Sequence, residues 1–154
     1  MSARPTLIFD FDSTLVDFET LEVLADIALA GTPDAETIRA QIAALTDKAM
    51  GGEIAFGEAL RRRLALLPLT REHIASLAAT APDRLTPSFR RNLAFFQQNK
   101  GRVFILSGGF REVIAPVAAL LGVAADHVLC NDLAYDGQGR VVGVEDANPL
   151  SEAD

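Results

Sequence analysis

Two short apolar runs rich in β-formers, residues 6–11 and 102–106, bracket a stretch of helical pattern, and this arrangement restricts the fold more than any other feature of the chain. The first run lacks polar alternation, as a buried parallel strand does. Between the runs, residues 19–30, 33–50, 56–67 and 70–79 read as helices, with Gly31, the Gly51-Gly52 pair and Pro68 as breaks. Residues 87–99 form a further expected helix, with Pro87 just inside its start and Gly101 just past its end. After the strand 102–106, Ser107-Gly108-Gly109 reads as a tight turn. Residues 110–121 then read as a helix with Phe110, Val113, Ile114, Val117 and Leu121 on one face, and with Pro116 kinking it or lying near its early turns. A third strand is expected at 127–131, and a hairpin of 133–135 with 140–144 around residues 136–139. Strands alternating with helices predict an α/β layer, with residues 1–16 and 80–154 as its core and 17–79 as an inserted helical cap.

Partners are limited by composition. A chain of 154 residues can bury roughly two-thirds of its unfolded surface, enough for a core. Hydrophobic residues make up 49% and charged residues 23%, yet no apolar run approaches the roughly 20 residues a bilayer requires, so no membrane partner is expected. Lys and Arg number 14 against 21 Asp and Glu, giving 14 − 21 = −7, which disfavours nucleic acid and anionic membranes. A small anionic substrate would need a local basic pocket instead. Residues 1–5 lead straight into the first strand without the apolar segment of a secretory signal, so the cytoplasm is the expected compartment. The single cysteine, Cys130, allows no intrachain disulfide and stands in an apolar run, as a buried structural thiol would.

Chemistry concentrates in two places. In Asp10-Phe11-Asp12-Ser13-Thr14, carboxylates stand at i and i+2 at the carboxyl end of the first strand, where they would share a face. Open α/β sheets bind ligands beyond the carboxyl ends of their strands. Like charges that close suit a Mg2+ site or an acid/base pair, and one carboxylate could act as nucleophile while the other protonates a leaving group. The plain alternative is a pair of solvent-facing acids closing a strand. Ser107-Gly108-Gly109, between a strand and a helix, offers backbone amides, a hydroxyl and close approach for a phosphate; the alternative is an ordinary helix cap. Taken together, the two motifs would converge on one crevice.

In the helical block, consecutive Arg61, Arg62 and Arg63 point about 100° apart, so only one can face a given pocket. Arg63 lies seven residues after Phe56, which would place both on one helix face; its planar fork suits a carboxylate. Glu19 could take an ammonium group, or simply sit well near a helix N-terminus. No P-loop lysine, dinucleotide glycine fingerprint or metal-binding His pair is present; His73 and His127 read as structural or surface residues, and Asp126, Asp132 and Asp136 as turn or strand-end residues.

The run Asp10-Phe11-Asp12-Ser13-Thr14-Leu15-Val16 with Glu19-Thr20 resembles the first motif of the phosphoserine phosphatases of the haloacid dehalogenase superfamily, and Ser107-Gly108-Gly109-Phe110 resembles their second. Residues 49–63 are similar to their cap in type and spacing. The resemblance implies a Rossmann-like parallel sheet with a helical cap, and Mg2+-dependent hydrolysis of phosphoserine. Asp10 would attack phosphorus, and Asp12 would protonate the serine oxygen and later activate water. Mg2+ would bind Asp10 and the Asp12 backbone carbonyl; Ser107, Gly108 and Gly109 would hold the phosphoryl oxygens. Glu19 and Arg63 would read the amino and carboxylate groups, with Met50 and Phe56 closing the pocket.

That family continues with a phosphate-binding lysine and a glycine-aspartate strand end that supplies further metal ligands. Residues 144–154 carry neither, and Lys48 and Lys100 are not placed to substitute. The expectation is a core incomplete at its carboxyl end, with the first strand left as an apolar edge that invites pairing, a homodimer included. On this expectation the chain itself has little activity. Two other functions follow from the same residues: hydrolysis of another small phosphomonoester, or phosphate binding without turnover.

Overall fold

The computed structural model describes residues 5–145. Strand β1, Leu7–Phe9, lies parallel to β2, Val103–Phe110, in the register Leu7↔Val103, Ile8↔Phe104, Phe9↔Ile105. Strand β3, Val128–Asn131, completes the order β1-β2-β3, so β1 has one neighbour among the described residues. Parallel neighbours cannot be joined by a tight turn, and a long crossover of helices connects β1 to β2.

By contacts the chain divides into two units. One takes residues 5–20 together with Ala75–Cys130; the other takes Leu21–Ile74 together with residues 131–145. The hairpin of residues 133–144 groups with the helical unit.

In the sheet unit, burial alternates along the strands. Val103, Ile105, Val128 and Cys130 are buried, while Ile8, Leu106 and Leu129 are exposed by 64%, 41% and 49%. The apolar runs therefore behave as one-sided strands, not as strands covered on both faces. Helix α7, Arg111–Leu121, buries Val113, Ile114, Val117 and Leu121, the apolar face expected of it. Pro116 lies inside α7, where it removes the amide that would otherwise bond to the Glu112 carbonyl. The expected helix over 87–99 is two helices, α5 (Pro87–Arg91) and α6 (Leu93–Asn99). Asn92 breaks it: its Nδ2 donates to the Ser88 carbonyl at 2.7 Å, a local bond of the kind that competes with helix. Aromatic rings close this region, with Phe9 5.7 Å from Phe89 and 5.3 Å from the buried Phe96. His127 stacks on Phe104 at 4.0 Å, and its Nδ1 lies 2.9 Å from the Val103 carbonyl, a structural placement. Cys130 is buried.

The helical unit holds α1 (Thr20–Ala28) beyond its first residue, α2 (Ala35–Met50), α3 (Phe56–Ala65) and the first part of α4 (Arg71–Thr80). Helices α2 and α3 pack together; Ile42, Ala59, Leu60 and Leu64 are buried. At the start of α4, the Thr70 amide donates to His73 Nδ1 at 3.3 Å while the His73 amide donates to Thr70 Oγ1 at 3.4 Å, a reciprocal cap that accounts for His73. Strands β4 (Leu133–Tyr135) and β5 (Val141–Val144) form an antiparallel hairpin. Asp136 Oδ1 accepts from the amides of Gln138 and Arg140 at 2.9 Å each, which fixes its turn. The hairpin joins the helices through Val141 N to Leu69 O and Arg71 N to Gly139 O, both 2.9 Å, and through Arg71 stacked 3.9 Å over Tyr135. No helix among the described residues is long and apolar enough to cross a membrane. The expected family departure beyond Glu145 falls outside the described residues.

Candidate active site

Strand β1 ends at Phe9, two residues earlier than expected, so the acid pair sits in the turn that follows and not on a strand face. Phe11, Leu15 and Val16 are fully buried and anchor that turn. Asp10 Oδ1 accepts from the Phe11 amide at 2.7 Å. Asp12 is extended, with φ −61° and ψ 134°, and Ser13 has φ 51°, a left-handed conformation uncommon outside glycine. Such conformations persist where their surroundings hold them. Here the Ser13 amide donates to the Phe18 carbonyl at 3.0 Å and its hydroxyl to Glu19 Oε1 at 2.5 Å. From the other side, Thr86 grips the turn through N–H to Leu15 O at 2.9 Å and Oγ1 to Thr14 O at 2.8 Å.

Asp12 is held by Thr20, whose amide donates to Oδ1 at 3.2 Å and whose hydroxyl donates to the same oxygen. Burial pushes the Asp12 carboxyl up to about 6, the Thr20 hydroxyl opposes this, and the charges of Glu19 and Asp10 add to the rise.

Ser107-Gly108-Gly109 is the end of β2 and not a turn; the strand runs on to Phe110 and α7 begins at Arg111. The strand's pleat turns Ser107 and Gly109 inward, and Ser107 is 5% exposed. The Gly109 amide donates to Ser107 Oγ at 2.9 Å. A Cβ at Gly109 would lie 3.1 Å from Ser107 Oγ, 3.5 Å from Ile114 Cδ1 and 3.8 Å from Asp12 Oδ2, so glycine lets the acid and the hydroxyl approach the backbone closely. The structure thus brings Asp12, Ser107 and Gly109 together, with Asp10 and Glu19 close enough for their charges to act on Asp12.

The remaining sequence-designated residues belong to the helical unit. Met50 ends α2 and is 85% exposed; Phe56 opens α3 and is 43% exposed. Arg63 is partly buried, and its guanidinium donates to the Ala59 carbonyl and to Thr46 Oγ1, both at 3.3 Å. Burial pulls its pKa below the usual arginine range. Arg61 and Arg62 are exposed, and Arg62 pairs with Glu58. A separate groove of 450 Å³ between α2 and α3, lined by Leu45, Lys48, Arg62 and Leu66 among others, includes none of the designated residues.

Among the described residues no three His, Cys, Asp or Glu side chains cluster as a metal site. The donors at the turn, the Asp10 carboxylate and the Asp12 carbonyl, are hard oxygens, which suit a divalent cation that completes its shell with water and phosphate. The charges of Asp10 and Glu19, both of which act on Asp12, also favour a cation. Sequence reasoning passed over Ser13 and Thr20 as residues with roles of their own; both lie inside the motif, but neither side chain's partner is encoded by spacing.

The family model of the haloacid dehalogenase-like hydrolases matches residues 7–152. Human phosphoserine phosphatase is 36% identical over 145 residues, an alignment that covers 94% of this chain and 61% of the human protein. A phosphoserine phosphohydrolase-like protein from Francisella tularensis superposes with a TM-score of 0.79 at 27% identity, covering 96% of this chain and 68% of that one. A phosphoserine phosphatase solved as a phospho-aspartyl intermediate analogue superposes with a TM-score of 0.62 at 31% identity, covering 93% of this chain and 64% of that one. This chain belongs to the haloacid dehalogenase-like hydrolase family. It spans about three-fifths of the length of the human relative.

Proposed function

We propose that this chain carries the phosphate-transferring half of a phosphoserine phosphatase. In the first step an Asp10 carboxylate oxygen bonds to phosphorus as the phosphorus–oxygen bond to serine breaks, and the Asp12 proton passes to the departing serine oxygen. In the second step water attacks the phosphoaspartate, Asp12 takes the proton from that water, and Asp10 and inorganic phosphate are released. Ser107 and the amides of Gly108 and Gly109 hold the phosphoryl oxygens, placing donors where charge develops. Glu19 binds the ammonium group and Arg63 the carboxylate of phosphoserine, while Met50 and Phe56 shield the pocket. Mg2+, held by the Asp10 carboxylate and the Asp12 carbonyl, would neutralise charge on the phosphoryl group. The cytoplasm is the proposed setting, and a homodimer the proposed assembly.

One observation carries the reading: the Asp12 carboxyl, raised to about 6, lies beside Ser107 at Gly109, a position too closely approached to take a side chain. An acid near neutrality and a cradle without a side chain are what protonation of a leaving group beside a bound phosphate requires. Support also comes from the curated relatives, including a plant enzyme named a chloroplastic phosphoserine phosphatase at 32% identity.

The test is phosphate release from L-phosphoserine with Mg2+, beside an Asp10→Asn variant. Weak release that the substitution abolishes is the expected result; release that survives it removes Asp10 as the nucleophile. Comparing L-phosphoserine with phosphoethanolamine, which lacks the carboxylate, tests Arg63: Arg63→Gln should raise KM about tenfold or more for the first and leave the second within about threefold. Equal effects on both would reassign Arg63.

A further inference from the structure

We infer that Thr20 is a positioning residue for the acid step, tethering one oxygen of Asp12 so that the other faces Gly109. The inference rests on the reading of Asp12 given above. Both donors of Thr20, amide and hydroxyl, converge on Oδ1, and Oδ2 is the oxygen 3.8 Å from the place where a Gly109 side chain would begin. The two oxygens of this carboxyl are therefore not equivalent: one is bound to the chain and one is left for chemistry.

Thr20 suits the task for reasons independent of the substrate. It is 1% exposed, so water cannot compete for its hydroxyl. It is the first residue of α1, where the backbone amide has no partner within the helix and is free to reach an acceptor outside it. As a β-branched residue it holds a narrow range of χ1, so its hydroxyl stays aimed. Two donors on one oxygen fix the Asp12 carboxyl in a way that a single bond would not. A general acid must lie within hydrogen-bond reach of the atom it protonates, and an error of an ångström costs on the order of a hundredfold.

A purely structural reading exists: Asp12 simply caps α1 through Thr20. The two readings differ in how the damage depends on the leaving group. Serine leaves as a poor alkoxide and needs the proton; p-nitrophenolate leaves readily and hardly does. Thr20→Val keeps volume and branching but loses the hydroxyl, and Thr20→Ser keeps the hydroxyl. With both esters and Mg2+, enzyme in excess so that only leaving-group release in the first step is read, and folding checked by circular dichroism, Thr20→Val should slow serine release from L-phosphoserine about 10- to 100-fold. It should slow p-nitrophenolate release less than about threefold, and Thr20→Ser should stay within about threefold on both. If Thr20→Val does not fold, Thr20→Cys, a weak donor of similar size, is judged by the same ratio.

Equal loss on the two esters, or loss that serine does not restore, overturns the role of Thr20. Asp12→Asn separates this from failure of the site itself. If Asp12→Asn spares p-nitrophenyl phosphate but Thr20→Val does not, only the positioning role falls. If Asp12→Asn slows leaving-group release from both esters alike, the acid role of Asp12 falls and that of Thr20 with it.

Discussion

Replacing Asp12 with asparagine should make the protein more stable at alkaline pH while removing its acid. Burial, with the charges of Glu19 and Asp10, raises the Asp12 carboxyl from its usual 3.8 to about 6 in the fold, so the folded chain binds a proton more tightly than the unfolded one. The native state holds more protons between those values, so stability falls as pH rises through that window, and the full cost is present above about 6. At ~1.4 kcal/mol for each factor of ten in proton affinity, the ionised carboxylate costs the fold about 3 kcal/mol at pH 8 and about 1 kcal/mol at pH 4.5. Asparagine carries no charge and keeps an oxygen for the two Thr20 donors. Its amide must find an acceptor, so the net gain at pH 8 should be about 1–3 kcal/mol, shrinking toward zero at pH 4.5. Urea unfolding followed by circular dichroism, at both pH values and with a chelator so that no cation reaches the carboxylates, measures the difference. An asparagine variant no more stable than the parent at pH 8, or a gain that does not shrink with acidity, would refute the account of Asp12.

Three further outcomes follow from packing. Gly109→Ala introduces a methyl 3.1 Å from Ser107 Oγ and 3.8 Å from Asp12 Oδ2; phosphate release should fall at least about tenfold while the melting temperature moves only a few degrees. Gly122→Ala should cost about 1–2 kcal/mol in urea unfolding, because Gly122 caps α7 at φ 75°. A Cβ there also meets Gln97 Nε2 at 2.6 Å, so a Gln97→Ala partner should recover the clash but not the backbone cost. Phe96→Ala removes a ring packed against Phe9, Phe89 and Phe95 and should destabilise by about 3–5 kcal/mol.

Punctuation was the most legible part of the sequence. Gly31, the Gly51-Gly52 pair and Pro68 separate helices near the expected points, because chain breakers act locally. The apolar face of α7 was equally readable, since one helix periodicity decides it. Where a side chain chooses among backbone partners, periodicity is silent: Asn92 splits a helix by bonding to Ser88. The glycines at 108 and 109 suggested a turn because glycine weakens strands, yet β2 runs on through them to Phe110, beyond Ile105, the last residue that β1 pairs. The acid motif was legible as residue types, but its expected strand geometry was not the one adopted. A left-handed Ser13 and the convergence of Thr20 on one oxygen depend on a turn whose shape is set by Phe11, Leu15 and Val16 beneath it.

The nested bonds of that turn carry a consequence for the order of assembly. Ser13 reaches Glu19 over six positions and Asp12 meets Thr20 over eight, so the acidic side of the site closes on itself by short loops. Short loops cost little chain entropy and form quickly. Its other grips arrive later, Thr86 reaching Thr14 across 72 positions and β2 bringing Ser107 only after the helical unit. During synthesis from the N-terminus, the carboxylates can therefore take up their mutual arrangement before the residues that would cradle a phosphate have left the ribosome.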